Sequence, residues 1–336
     1  MEPIRFAAIG LDHNHIYGQT DMLIRAGAEF VSFYSDKDDL AAAYGARFPQ
    51  ARRVADVREI LEDTSIALVT GAGIPDQRAA DAIAAMRHGK DVLFDKPGMV
   101  SLDQLAEVKK VQAETGRIYA VYYSEHIETR CTVKAGELIA DGAIGRVIHT
   151  AGFGPHRLGH NKRPDWFFDR ARYGGILTDI AAHQFEQFLF FTGAEDAEVV
   201  GATVANLGHP ATPGLQDFGE TILKAPGCTG YIRVDWFTPD GLPTWGDGRL
   251  TILGTEGYIE LRKYVDIGGQ PETDHLFLVD QKGVKRIDCT HQHLPYGGQL
   301  LNDIRNRTET AMPQARTFKA MELALRAQAA AEGAAR

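Results

Sequence analysis

What this chain has little of narrows its class before any motif is read. Its 336 residues carry three cysteines, Cys131, Cys228 and Cys289, odd in number and far apart. They form no disulfide framework and no cysteine-based zinc motif, and the count suits a protein of the reducing cytoplasm. No run of about 18 apolar residues occurs, so no segment is expected to span a bilayer. The apolar run in MEPIRFAAIG is too short for a signal peptide. Cations are outnumbered, 36 Lys and Arg against 45 Asp and Glu, for a net charge of -9. That balance argues against nucleic acid and anionic membrane as partners. The densest basic run, ARR at 51–53, reads as a solvated face. What remains is an ordinary globular composition, 44% hydrophobic and 24% charged, in a length that suggests two domains able to bury a core each.

The first third alternates between two periodicities. Strand-like runs at 4–10, 29–34, 66–71, 91–95 and 118–123 are separated by helical segments at 13–26, 38–48, 75–89 and 101–116. The third of these helices starts on a Pro and ends on a Gly; the fourth has a Ser cap. Strands alternating with helices predict βαβ units and a doubly wound parallel sheet, with ligands at the carboxyl ends of its strands. The pattern then changes. A helix near 128–141 and a strand at 146–154 lead to TDIAAHQFEQFLFFTG (178–193), read as one amphipathic helix. Five further strand-like runs follow, ending in GYIELRKY, and the last 40 residues return to helix. This half reads as an α+β domain with a large, mostly antiparallel open sheet. The expected domains are 1–124 and 125–336.

One absence falls inside a motif. A dinucleotide-binding loop reads G-x-G-x-x-G between the first strand and helix. In AAIGLDHNHIYGQ those positions hold Gly10, Asp12 and His15. Gly10 keeps the tight turn, but the glycine for close phosphate approach and the one for helix–strand packing are gone. The helix amides and the side chains of His13 and Asn14 can still favour an anion. Asp12 either costs close approach or turns away and caps the helix by accepting from the amide of Asn14 or His15.

Two further stretches can carry chemistry. In LFDKPGM, Asp95 and Lys96 follow a strand directly, at the end that faces the ligand crevice; the alternative is an exposed loop lysine. In GGILTDIAAHQFEQ, Asp179 and His183 stand four apart and share a helix face, a carboxylate–imidazole pair suited to acid–base work near neutral pH. The alternative is an ordinary surface pair. His13 with His15, His156 with His160 and His291 with His293 have metal-like spacings. No cysteine or clear third ligand accompanies them, so polar roles and no metal are expected.

Together these stretches resemble the Gfo/Idh/MocA oxidoreductases. DKP is similar to that family's E-K-P signature, GGILTDIAAH to its G-G-G-x-x-x-D-x-x-x-H segment, IADGAIGRVIHT to its entry into the second domain, and LTILGTEGYIEL to a G-T-x-G strand pair. The resemblance implies an N-terminal Rossmann domain and NAD(P)-dependent hydride transfer between nicotinamide and a sugar, polyol or related hydroxy compound. It implies Lys96 as the catalytic lysine and Asp179 with His183 as the acid–base pair. The cofactor contacts it implies are Gly10, Asp12, His13, Asn14, Ser35, Asp36, Gly73, Ile74, Asp95 and Lys96. His126, His156 and Trp166 fall in segments beside the substrate. Ser35 takes the place of the ribose-binding acid and Asp36 follows it, which leans to NAD, with NADP as the alternative; Lys37 could offset the repulsion of a 2′-phosphate. Relatives pair through the second-domain sheet, so a homodimer or homotetramer is implied. The chain departs from the pattern at Asp95, which replaces Glu, at Arg78, near the place of a usual His, in YYSEHIE, and most of all in the glycine loop. Two rival readings keep the fold: redox-assisted glycoside cleavage, and nucleotide or sugar sensing without turnover.

Overall fold

The computed structural model describes residues 2–334. Met1, Ala335 and Arg336, at the ends of the two expected domains, lie outside the described residues. The chain divides into two compact units.

The first unit comprises residues 1–122 and 295–318. Its strands are β1 (Arg5–Ile9), β2 (Glu29–Tyr34), β3 (Arg52–Arg53), β4 (Leu68–Gly71), β5 (Asp91–Asp95) and β6 (Tyr119–Tyr122). They pair in the order β3-β2-β1-β4-β5-β6, parallel throughout. Strands β4, β5 and β6 are buried at every residue, as a sheet covered on both faces requires. The strand order reverses between β1 and β4, and the crevice of such a sheet opens at that switch point. The crossover helices follow their local signals. The helix Pro75–Arg87 has Pro in its first turn. In the helix Leu102–Thr115 the Ser101 side chain accepts from the Gln104 amide, and Gly116 closes the end in a left-handed conformation. The core beneath β2 is aromatic, with Tyr44 edge-on to Phe30, Phe33 and Phe48.

One feature of this unit extends the sequence reading, which had 51–53 as a solvated face, and another corrects it. Arg52 and Arg53 form an edge strand against Ser32 and Phe33, although both side chains stay exposed. The helix Tyr296–Asn306 belongs to the first unit, where the reading gave all of 125–336 to the second domain. Its amphipathic pattern showed a face to bury but not the partner. Gly297 packs there against Met22 and Ala26 of the first helix and its end.

The second unit comprises residues 123–294 and 319–336. Its strands are β7 (Val147–Pro155), β8 (Glu198–Ala205), β9 (Phe218–Ala225), β10 (Cys228–Asp235), β11 (Arg249–Gly254), β12 (Gly257–Arg262), β13 (His275–Asp280) and β14 (Gly283–Ile287). The sheet order is β14-β13-β12-β11-β7-β10-β9-β8. β7 and β10 run parallel, and the other neighbours are antiparallel. Residues alternate between two faces. Leu250, Ile252, Ile259, Leu261, Leu276 and Leu278 bury one face against Cys131 and Ala135 of the helix Arg130–Ala140. The other face leaves Ile222, Leu253, Tyr258 and Val284 exposed. The hairpin β13–β14 escaped the sequence reading because β14 alternates little: Gly283 to Arg286 are all exposed.

The segment read as one helix over 178–193 is two. A short helix, Ile176–Asp179, is followed by Ala182–Thr192. Between them the ladder shifts: the Ala181 amide reaches back to Ile176 O and the His183 amide to Ile180 O. Asp179 and His183 therefore sit on either side of a break and do not share an uninterrupted helix face. The apolar periodicity carries across the break, which is why the sequence did not show it.

Candidate active site

The chemistry-bearing residues gather in two clusters, one in each unit. In the first unit they lie at the carboxyl ends of the strands. Gly10 follows β1 with φ +64, and a Cβ there would come within 2.8 Å of the Gly73 backbone after β4. Only glycine permits that contact in that conformation. The two loops are also joined by hydrogen bonds, from Ala72 N–H to Gly10 O and from His13 N–H to Ala72 O, both 2.9 Å. The first helix then runs His15–Arg25, and no side chain of its Asn14 cap accepts from its amides. Asp12 does not cap the helix, as one reading of the loop expected; its carboxylate pairs with the Lys37 ammonium. A charged partner within reach outweighs a neutral amide. The first amides are satisfied locally, that of His15 by His13 Nδ1 at 3.2 Å and those of Ile16 and Tyr17 by the carbonyls of His13 and Asn14.

Behind the loop stands the end of β5. Asp95 is fully buried and Lys96 nearly so, at 5% exposure, so the alternative of an exposed loop lysine is excluded. Arg78, also buried, ties this corner together. It donates to Gly73 O (2.7 Å), Lys96 O (2.5 Å) and Pro97 O (3.1 Å), and its guanidinium lies 3.2 Å from Asp95 Oδ2. His15 Nδ1 lies 2.8 Å from Asp95 Oδ1 and His13 Nδ1 3.3 Å from Asp95 Oδ2. Burial alone would raise the Asp95 carboxyl, but His15 and Arg78 hold it well below the usual carboxylate range. Burial and then His15 push the His13 imidazole well below its usual range, against the pull of Asp95. Asp81, on the helix after Gly73, is pushed up to about 6 by burial and by Asp12. After β2, Ser35 is buried and its Oγ accepts from Lys37 N–H at 3.1 Å, while Asp36 and Asn14 are exposed. Gly73 and Ile74 are buried.

In the second unit Asp179 and His183 are both buried, and the His183 ring meets Tyr123 edge-on. Around them is a buried polar network. Lys263 Nζ donates to Glu125 Oε2 (2.7 Å) and Gln187 Oε1 (2.9 Å), and Gln184 Nε2 donates to the same Glu125 oxygen (3.0 Å). Burial opposes ionisation of Glu125, but Lys263, with His183 and His156, holds its carboxyl down at about 2. His126 is bound to buried Glu186 at 2.8 Å and packs on Phe190. His156 sits between Trp236 and Trp245. Trp166 is buried beside Phe167.

Sequence reasoning missed the residues that hold these clusters together. Arg78 was noted only as a departure from a pattern, and Glu125, Lys263, Gln184 and Gln187 were not singled out. Their signal is chemical rather than periodic: buried ionic groups occur where they are paired. A lone Arg or Lys in sequence does not announce its burial.

Comparison with known proteins agrees with this geometry. Residues 4–123 match the model of an oxidoreductase family with an NAD-binding Rossmann fold, and residues 132–260 match the GFO/IDH/MocA C-terminal domain. A crystal structure of a protein of Erwinia carotovora atroseptica, provisionally assigned as an oxidoreductase, is 48% identical, with a TM-score of 0.95 over 98% of both chains. The 1,5-anhydro-D-fructose reductase of Ensifer adhaerens is 29% identical over 208 residues, 60% of this chain and 59% of that protein. The scyllo-inositol 2-dehydrogenase (NAD(+)) of Bacillus subtilis is 25% identical over 235 residues, 68% of this chain and 62% of that protein. The chain thus spans roughly three-fifths of the length of these two relatives.

Proposed function

The chain belongs to the GFO/IDH/MocA oxidoreductase family, and on that premise we propose that it transfers a hydride between NAD and a secondary hydroxyl of a sugar, polyol or related compound. The observation that carries this reading is the corner at the sheet's switch point, where the Gly10–Gly73 contact, the end of β5 and buried Lys96 meet. A nicotinamide dinucleotide fits the donor set there. Asp12 is neutralised by Lys37, Asn14 is exposed at the loop, and Ser35 and Asp36 stand after β2 for the adenosine ribose. Because Lys37 is engaged on Asp12, the charge of Asp36 is left to favour a ribose 2′-OH over a 2′-phosphate.

The bound nicotinamide supplies the hydride acceptor. The chain supplies the rest. Lys96 orients the hydroxyl and stabilises the developing alkoxide. His183 takes the hydroxyl proton, and Asp179 orients the imidazole or binds a neighbouring hydroxyl. The indole of Trp166 and the imidazoles of His126 and His156 suit a sugar face and its hydroxyls. The exposed face of the second sheet, with Ile222, Leu253, Tyr258 and Val284, is the surface through which a homodimer or homotetramer forms.

The test is mass spectrometry of the purified protein for retained nucleotide, followed by a sugar and polyol panel read at the NADH absorbance. Net NADH with at least one member is expected. Release of a free sugar without net NADH would assign glycoside cleavage instead. Absence of NAD binding at millimolar nucleotide in calorimetry would reject the dehydrogenase reading.

A further inference from the structure

The glycine loop and the end of β5 together offer three potential ligand atoms that no part of this mechanism uses together. His13, His15 and Asp95 each offer one such atom, all within 4.8 Å of one another. His13 Nδ1 accepts a hydrogen bond from the His15 amide at 3.2 Å; an ion bound at that nitrogen would take the lone pair this long bond now uses. His13 Nδ1 faces Asp95 Oδ2 at 3.3 Å. That oxygen is buried and accepts no hydrogen bond among the described residues; its neighbour is the Arg78 guanidinium at 3.2 Å. On the other oxygen, His15 Nδ1 and Asp95 Oδ1 lie 2.8 Å apart and share a proton that a metal ion would displace.

The spacing suits an ion. Bonds of about 2.1 Å in a tetrahedral site place ligand atoms about 3.4 Å apart; His13 Nδ1 lies 3.3 Å from Asp95 Oδ2 and His15 Nδ1 2.8 Å from Asp95 Oδ1, so a turn of the carboxylate would bring an oxygen to an ion held between the two rings. The backbone is already constrained: Gly10 and Ala72 anchor the loop at both ends of the His13 turn. Two imidazole nitrogens and one carboxylate oxygen select a borderline divalent transition ion such as Zn²⁺ or Co²⁺ over Mg²⁺ or Ca²⁺, which prefer all-oxygen sets.

We propose that His13, His15 and Asp95 form a binding site for a divalent transition-metal ion, with three protein ligands and the remaining positions open to water or an anionic oxygen. The site does not depend on the dehydrogenase reading. Arg78, on the same carboxylate oxygen, repels the ion and weakens the site relative to one without that neighbour.

The experiment is titration of chelator-stripped full-length protein, without nucleotide, by Co²⁺ followed through its visible absorption and by Zn²⁺ followed calorimetrically. One saturable site per chain is expected, with release of about one proton on binding. His13→Ala and His15→Ala should each weaken binding by at least about tenfold. Both rings are partly exposed, at 24% and 32%; His13→Asn and His15→Gln, with unfolding midpoints measured alongside, guard against a folding artefact. A variant at the other closely spaced pair, His291→Ala with His293→Ala, should bind as wild type does. The proposal is overturned if no saturable binding occurs at millimolar ion, or if binding survives unchanged when both His13 and His15 are replaced in a folded protein.

Discussion

At the scale of single residues, burial changes what each substitution measures. Lys96 is buried at the end of β5, so removing it alters packing as well as charge. Lys96→Ala should lower kcat by about 10²-fold or more, with circular dichroism reporting whether the fold persists. Near wild-type kcat in a folded variant would remove Lys96 from the reaction. His183→Ala should lower alcohol oxidation and flatten the acid limb of the rate profile; an unchanged profile would make it a structural histidine. Arg78 is a stability residue first. Arg78→Met leaves the fully buried Asp95 without its guanidinium, and breaking a buried pair in this way costs about 3–5 kcal/mol. Urea unfolding should show a loss of that size in unfolding free energy, larger than for any exposed arginine such as Arg52 or Arg58.

At the scale of elements, the turn between β1 and the first helix shows how one glycine does the work left over from three. Gly10→Ala must place a Cβ within 2.8 Å of Gly73 at φ +64. The conformation alone costs about 1–2 kcal/mol, and separating the two loops should weaken NAD binding in calorimetry. The helix Pro75–Arg87 carries a pH-dependent contribution. Asp81 titrates at 3.8 when unfolded and is pushed up to about 6 in the fold by burial and Asp12. A carboxyl raised in this way stabilises fully below its unfolded value, and that contribution is lost as pH rises through the folded one. The Asp81 contribution should therefore decline across the window from 3.8 to about 6, and Asp81→Asn should remove that part of the slope in thermal melts taken across it. A slope unchanged by the substitution would place Asp81 outside the coupling.

At the scale of the whole molecule, the second sheet presents one covered and one open face. The open face is the proposed association surface. Leu253 and Tyr258 are directly opposite in the β11–β12 pair and point to the open face. Leu253→Asp should convert an oligomer to monomer in light scattering coupled to gel filtration, with circular dichroism showing that the chain still folds, because an exposed position contributes little to the core of the single chain. A monomeric wild type would sink this assignment.

The parallel sheet, its helices and the family were legible in the chain because each rests on local signals. Strand and helix periodicities, Pro75 in the first turn of its helix and Ser101 at its cap act within a few residues, and the DKP and GGILTDIAAH stretches carry their residue types in order. The same local reasoning showed that Gly10 must hold the tight turn. It could not show that Asp12 would pair with Lys37 rather than cap the helix, nor that Arg78 would bind the end of β5, nor that Glu125 would meet Lys263 138 residues away. It also could not show that the helix after Gly175 breaks between Asp179 and His183. Those outcomes depend on which distant groups share a dehydrated environment. A charge removed from water takes the best partner within reach, and only the tertiary structure determines which partner that is.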